Sequence, residues 1–166
     1  MLGKIKKIVF IWVVNHILSG THFFALKRRI LNKINGISIG NNSKIVGPIL
    51  IRGTLVVGND VWIGRNFVAE GHGTVIIGNN CDIAPNVSFY TGSHRIGDHE
   101  RRAGEGISKD ISIGDGCWIC ADSIIIPGVS IGAGSVIGAG SVVNKSYEEE
   151  DILLRSSQLI ISKKLK

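Results

Sequence analysis

The chain has 166 residues, 44% hydrophobic and 19% charged, with a formal charge of +6. That length fits one domain, and 22 glycines are too many for a helical bundle but suit a chain that turns often. Ten aromatics without a recognition motif argue against a nucleic-acid binder, and an odd count of three cysteines argues against a secreted disulfide framework.

Residues 1–35 make the first region. Lys4, Lys6 and Lys7 lead into Ile5, Ile8, Val9, Ile11, Trp12, Val13 and Val14, and Asn15 and His16 end that run short of the roughly eighteen apolar residues of a spanning helix. The basic start, short apolar core and Ser19-Gly20 also have the outline of a signal peptide. A second helix is predicted over about 22–33, where Phe23, Phe24, Leu26, Ile30 and Leu31 alternate with Lys27, Arg28, Arg29 and Lys33. The two segments either cap the open end of the next region or lie on a membrane surface with their cations at the headgroups.

From residue 36 to 145 the chain keeps a period of six. Ile39, Ile45, Ile51, Val57, Ile63 and Ala69 are in phase; the beat slips by two residues at Gly71-His72-Gly73 and resumes at Ile77, Ile83 and Phe89. It returns at Ile113, Ile119, Ile125, Ile131, Ile137 and Val143. Six matches neither the period of a strand nor that of a helix, so each unit is one short strand plus a corner, and three units close a triangular coil. About five coils follow, with the aliphatics stacked inside. The phase survives between Phe89 and Ile113, but Arg95 and Arg101 fall where aliphatics belong. Charged side chains do not line a dry prism unpaired, so 91–110 is predicted to leave it as an excursion.

Cys117 and Cys120 form a CxxC without a second pair, and the simple reading is that Cys117 fills the small fourth position of its unit. Residues 146–166 form the third region. Acids at 148–151 suit a helix start, predicting a short closing helix over 152–165.

The motifs Tyr90-Thr91-Gly92-Ser93-His94, Ile83-Ala84-Pro85-Asn86-Val87, Gly116-Cys117-Trp118-Ile119 and Pro127-Gly128-Val129, with Gly138-Ala139-Gly140-Ser141-Val142-Val143, resemble those of the hexapeptide-repeat acyltransferases. The likeness runs over about 70 residues, 75–145, to the galactoside and maltose O-acetyltransferase branch. It implies a left-handed parallel β-helix, acetyl-CoA as acyl donor, no metal, a cytoplasmic location and a homotrimer whose sites lie between adjacent prisms. By the same resemblance the catalytic histidine falls on His94, and coenzyme A contacts fall on Trp118, Ala121, Ala139, Asn144 and Lys145. Glu70, His72 and Asn86 are candidates for holding the acceptor. Where the family ends on a Gly-x-Pro-Ala loop with a basic residue, this chain has Arg155-Ser156-Ser157-Gln158-Leu159, leaving Lys163 or Lys164 to meet the adenine end.

The chemistry needs little more. Acyl transfer from a thioester to an alcohol requires a base for the attacking hydroxyl; an imidazole, mostly unprotonated at neutral pH, takes that proton and returns it to the departing thiolate. The expected activity is O-acetylation of a sugar hydroxyl in surface-polysaccharide or glycan assembly, without a covalent enzyme intermediate. Alternatives are amino-sugar N-acetylation, a non-catalytic scaffold, or a zinc site of the carbonic-anhydrase type built from His72, His94 and His99.

Overall fold

The computed structural model describes residues 2–148, 152–154 and 161–164. Its path is a three-sided parallel β-helix of about five coils, the left-handed fold expected from the resemblance. The first face stacks Ile37–Ile39, Thr54–Val57, Thr74–Ile77, Ile111–Ile113 and Ser130–Ile131. The second stacks Lys44–Ile45, Trp62–Ile63, Asp82–Ile83, Trp118–Ile119 and Val136–Ile137, and the third Ile49–Ile51, Phe67–Glu70, Ser88–Tyr90, Ile124–Ile125 and Val142–Val143. All fifteen in-phase residues are inside, none more than 3% exposed. Their registers are the ones the period demands: Ile45 faces Ile63, Ile63 faces Ile83, and Ile83 faces Ile119, which faces Ile137.

The corners are less permissive than the hexad suggests. The third residue after the aliphatic is in the left-handed region: Asn42, Asp60, Asn80, Gly116 and Gly134 at the corner between first and second faces, and Asn66, Asn86, Asp122 and Gly140 at the next, all with φ between 55 and 68°. Asn, Asp and Gly are the residues that enter that region at least cost. The fourth residue points inward and donates to a carbonyl of a neighbouring coil, as Ser43 does to Gly58 (2.8 Å), Cys81 to Gly114 (3.1 Å), Cys117 to Gly132 (3.2 Å) and Ser123 to Gly138 (3.1 Å). Cys117 therefore serves the corner, as its position in the unit implies. Its neighbour in the hydrogen-bonded column is Cys81, whose thiol is pushed up by that contact and by burial.

Both ends of the rod depart from the simple picture. Helix α1, Leu2–His16, and helix α2, Phe24–Leu31, lie across the first coil. Val14, Leu31 and Ile34 bury against it. Two asparagines take the place of a preceding strand: Asn15 exchanges hydrogen bonds with both N–H and carbonyl of Ile49 (2.9 and 2.8 Å), and Asn32 does the same with Ile39 (2.7 and 2.9 Å). Buried Lys27 donates to the carbonyls of Gly20 (2.6 Å) and Val46 (3.2 Å), its ammonium 4.7 Å from the Phe24 ring centroid, and burial pushes its pKa down. These contacts satisfy the backbone of an otherwise open sheet edge.

At the other end, the closing helix expected over 152–165 is not present in the described residues. Ile152–Leu154 instead continues the second face parallel to Val136–Ile137, and Ile161–Lys164 returns antiparallel to it. The open edge of the last coil offers unpaired backbone groups, and an apolar strand meets them better than a helix whose backbone is already paired. Residues 155–159, which stand where the related family has its Gly-x-Pro-Ala sequence, lie outside the described residues.

Candidate active site

The excursion is a β-hairpin rather than a loop. Gly92–Ile96 pairs antiparallel with Ala103–Ser108, His94 opposite Gly106, with a register shift between His94 and Ile96. Asp98 closes the turn by accepting from the backbone N–H of Glu100 (3.1 Å) and Arg101 (2.9 Å), and Arg95 pairs with Glu105 at 3.1 Å on the surface. The arm stands away from the rod: its first strand is exposed throughout, Ile96 to 88%. The excursion contains no further coil, since Val75 on one side of it registers directly with Ile111 on the other.

Its root is firmly held. Buried Thr91 donates its hydroxyl to the Glu70 carbonyl (3.2 Å) and accepts from the Gly73 N–H (3.1 Å), while its own carbonyl accepts from Lys109 N–H (2.9 Å) and the Ser108 hydroxyl (3.1 Å). Asp110 accepts from the Thr74 N–H at 2.7 Å. Thus the two irregular places of the repeat, the slip at 71–73 and the excursion, are pinned together at one corner. Neither Thr91 nor Asp110 carries a periodic signal; only their adjacency to the breaks in phase marks them.

That corner, between the third and first faces, collects five candidate residues along one edge. Glu70 ends a third-face strand beside Tyr90 and pairs with Arg52 at 3.1 Å; His72 is exposed on the slip; His94 follows on the arm. Asn144 and Lys145 lie two coils further along, exposed, the Lys145 ammonium 5.4 Å from the Tyr147 ring centroid. Lys109, a cation the sequence reading did not single out, lies over Gly128 on the same edge.

The remaining candidates sit elsewhere on the prism. Trp118 projects from the second face, 52% exposed, in a column with Trp62, Asp82 and Val136. Ala121 and Ala139 stack at the corner between second and third faces, where the Ala121 carbonyl accepts from the Gly140 N–H (2.9 Å). Asn86 stands in that same corner column, its amide engaged by Asn66 (2.8 Å) and Asp122 (2.9 Å). One chain therefore does not bring His94 and Trp118 to the same edge. The three histidines of the zinc alternative are likewise not gathered: among the described residues no group of three or more His, Cys, Asp or Glu is placed to hold a metal.

Residues 110–145 match the bacterial transferase hexapeptide (six repeats) family. The chain is 38% identical to galactoside O-acetyltransferase of Escherichia coli over 125 residues, 72% of this chain and 60% of that protein, so it spans less than two thirds of that relative's length. It is 30% identical over 140 residues, 83% of the chain and 75% of the relative, to Escherichia coli WcaF, a protein named for acetyl transfer in colanic acid biosynthesis. Among solved structures it resembles a hexapeptide-repeat acetyltransferase of Vibrio cholerae complexed with acetyl coenzyme A, with TM-score 0.85 and 29% identity over 99% of this chain and 88% of that one. The chain belongs to the hexapeptide-repeat acyltransferase family.

Proposed function

We propose that the protein transfers acetyl from acetyl-CoA to a hydroxyl of a sugar, in the cytoplasmic assembly of a surface polysaccharide or glycan. The observation that carries this reading is His94: an exposed imidazole on an arm whose root is fixed by Thr91 and Asp110, on the edge that also bears Glu70, His72, Asn144 and Lys145. The relatives support the donor and the class of acceptor: one is solved with acetyl coenzyme A, one is named for galactosides, one for colanic acid.

In this mechanism His94 takes the proton from the acceptor hydroxyl as its oxygen attacks the thioester carbonyl. The carbon–sulfur bond then breaks, and the imidazolium returns the proton to the thiolate, so no group of the enzyme is acylated. Glu70 and His72 orient the acceptor at the root of the arm. Lys145 meets an anionic part of the donor as a point charge, and Asn144 supplies a polar contact beside it. Small side chains at 121 and 139 let a pantetheine chain approach the backbone, with Trp118 near the acetyl end.

His94 and Trp118 lie on different parts of one prism, which favours a site completed by the neighbouring copy in a homotrimer. The test is thiol release from acetyl-CoA across a panel of sugars, nucleotide sugars and glycans. Turnover with a hydroxyl acceptor is expected from the wild-type chain and none above background from His94→Ala; undiminished turnover in that variant rejects the mechanism.

A further inference from the structure

The cap formed by α1 and α2 has a second side that the rod does not use. Ile5, Ile8, Val9 and Trp12 of α1, with Phe23 and Leu26 at α2, remain exposed, Ile8 to 69% and Phe23 to 63%. Exposed Lys4, Lys6, Arg29 and Lys33 interleave with them, and the Lys6 ammonium lies 5.5 Å from the Phe10 ring centroid.

The charge of the molecule is concentrated at this end. Nine Lys and Arg, and no Asp or Glu, precede Asp60 in the chain, whereas the residues from Asp60 onward carry ten Lys and Arg against thirteen acids. Between α1 and the third face lies a cleft of about 660 Å³ walled by Ile8, Ile11, Trp12 and Leu50 and edged by Lys4 and Arg52. Its lining contains no acid.

We propose that this face docks on an anionic lipid bilayer, with α1 and α2 lying in the plane of the headgroups. An apolar stripe flanked by cations matches an interface that offers acyl chains below and phosphates above. No helix among the described residues is long and apolar enough to cross, so the helices lie on the surface rather than span it. A symmetric pairing of two such ends would set exposed Lys4, Lys6, Arg29 and Lys33 of one copy against those of the other, which disfavours a second copy as the occupant. The docking does not depend on acetyl transfer. Its geometric consequence is that the cleft end of the edge bearing Glu70, His72 and His94 faces the lipid.

The experiment is flotation of the full chain with vesicles of phosphatidylcholine alone or with a third of phosphatidylglycerol, in low and high salt. Wild type is expected to float with the anionic vesicles only, and to lose most of that binding in high salt. Ile8→Glu/Trp12→Glu, whose positions are on the exposed side, should bind at least tenfold more weakly with an unchanged thermal midpoint and unchanged mass by light scattering. Lys4→Gln/Lys6→Gln should weaken binding without touching the apolar stripe. Absence of flotation, equal flotation by Ile8→Glu/Trp12→Glu, or a fall in the mass of that variant's oligomer would each overturn the proposal, the last by assigning the face to contact between copies.

Discussion

His94 and Asp115 show two different ways in which one side chain matters. In the role proposed for His94, general-base catalysis is worth on the order of a hundredfold to ten-thousandfold; His94→Ala should lose that much kcat/KM in a thiol-release assay while its circular dichroism and mass stay those of wild type. Lys145→Ala is expected to act on KM for acetyl-CoA more than on kcat, because in the proposed site it removes a contact to the donor and not the base. Asp115 has a structural part. It accepts from the backbone N–H of Asn79 (2.7 Å) and from the Asn79 amide, which hold its carboxyl below the usual carboxylate range. A carboxyl with a depressed folded pKa contributes stability above its unfolded value of 3.8, and loses it as pH falls through the lower folded value. Thermal melts taken from about pH 6 to about pH 3 should therefore decline less steeply in Asp115→Asn than in wild type. Asn79 and Asp115 are 36 residues apart, so the pairing follows from stacking of coils across the excursion and no local pattern announces it.

At the scale of elements, the N-terminal cap is where sequence and structure differ most instructively. Asn15 reads in the sequence as the residue that spoils an apolar run. In the structure it replaces a strand, as Asn32 does on another face. Removing either amide leaves a half-buried N–H and carbonyl of the first coil without these partners, a loss of about 1–3 kcal/mol. Asn15→Ala and Asn32→Ala should each lower the thermal midpoint measurably, whereas Asn41→Ala, at an exposed corner where its backbone N–H and not its side chain makes the hydrogen bond to Asn59, should not. The arm at 92–108 is the opposite kind of element. Little of it is buried, and its order comes from its own hairpin pairing and from Thr91, Ser108 and Asp110 at the root.

For the whole molecule, the distribution of the candidate residues over two edges has a direct consequence if copies complete each other's sites. Neither His94→Ala nor Trp118→Ala alone should be active at the wild-type level, but refolding or coexpressing them together should restore about a quarter of the sites, those that pair an intact His94 with an intact Trp118 from the next copy. Mixed samples no more active than the weighted mean of the two variants would mean that each site is made within a single chain.

The sequence by itself determined the coil, its interior and its two interruptions, because a six-residue repeat is a local rule that every unit obeys and each inward aliphatic is legible without its neighbours. The third place after the aliphatic reads as free in the hexad, and only the left-handed backbone of the folded corners shows why Asn, Asp or Gly stands there. What only the tertiary structure decided depends on coils meeting across 18, 20 or 36 residues: that the slip and the arm share a corner, that Glu70, His72, His94 and Lys145 line one edge while Trp118 looks from another face, and that asparagines close one end and strands the other. Those outcomes are settled by which backbone groups are left unpaired once the prism has formed, and no window of sequence contains that information.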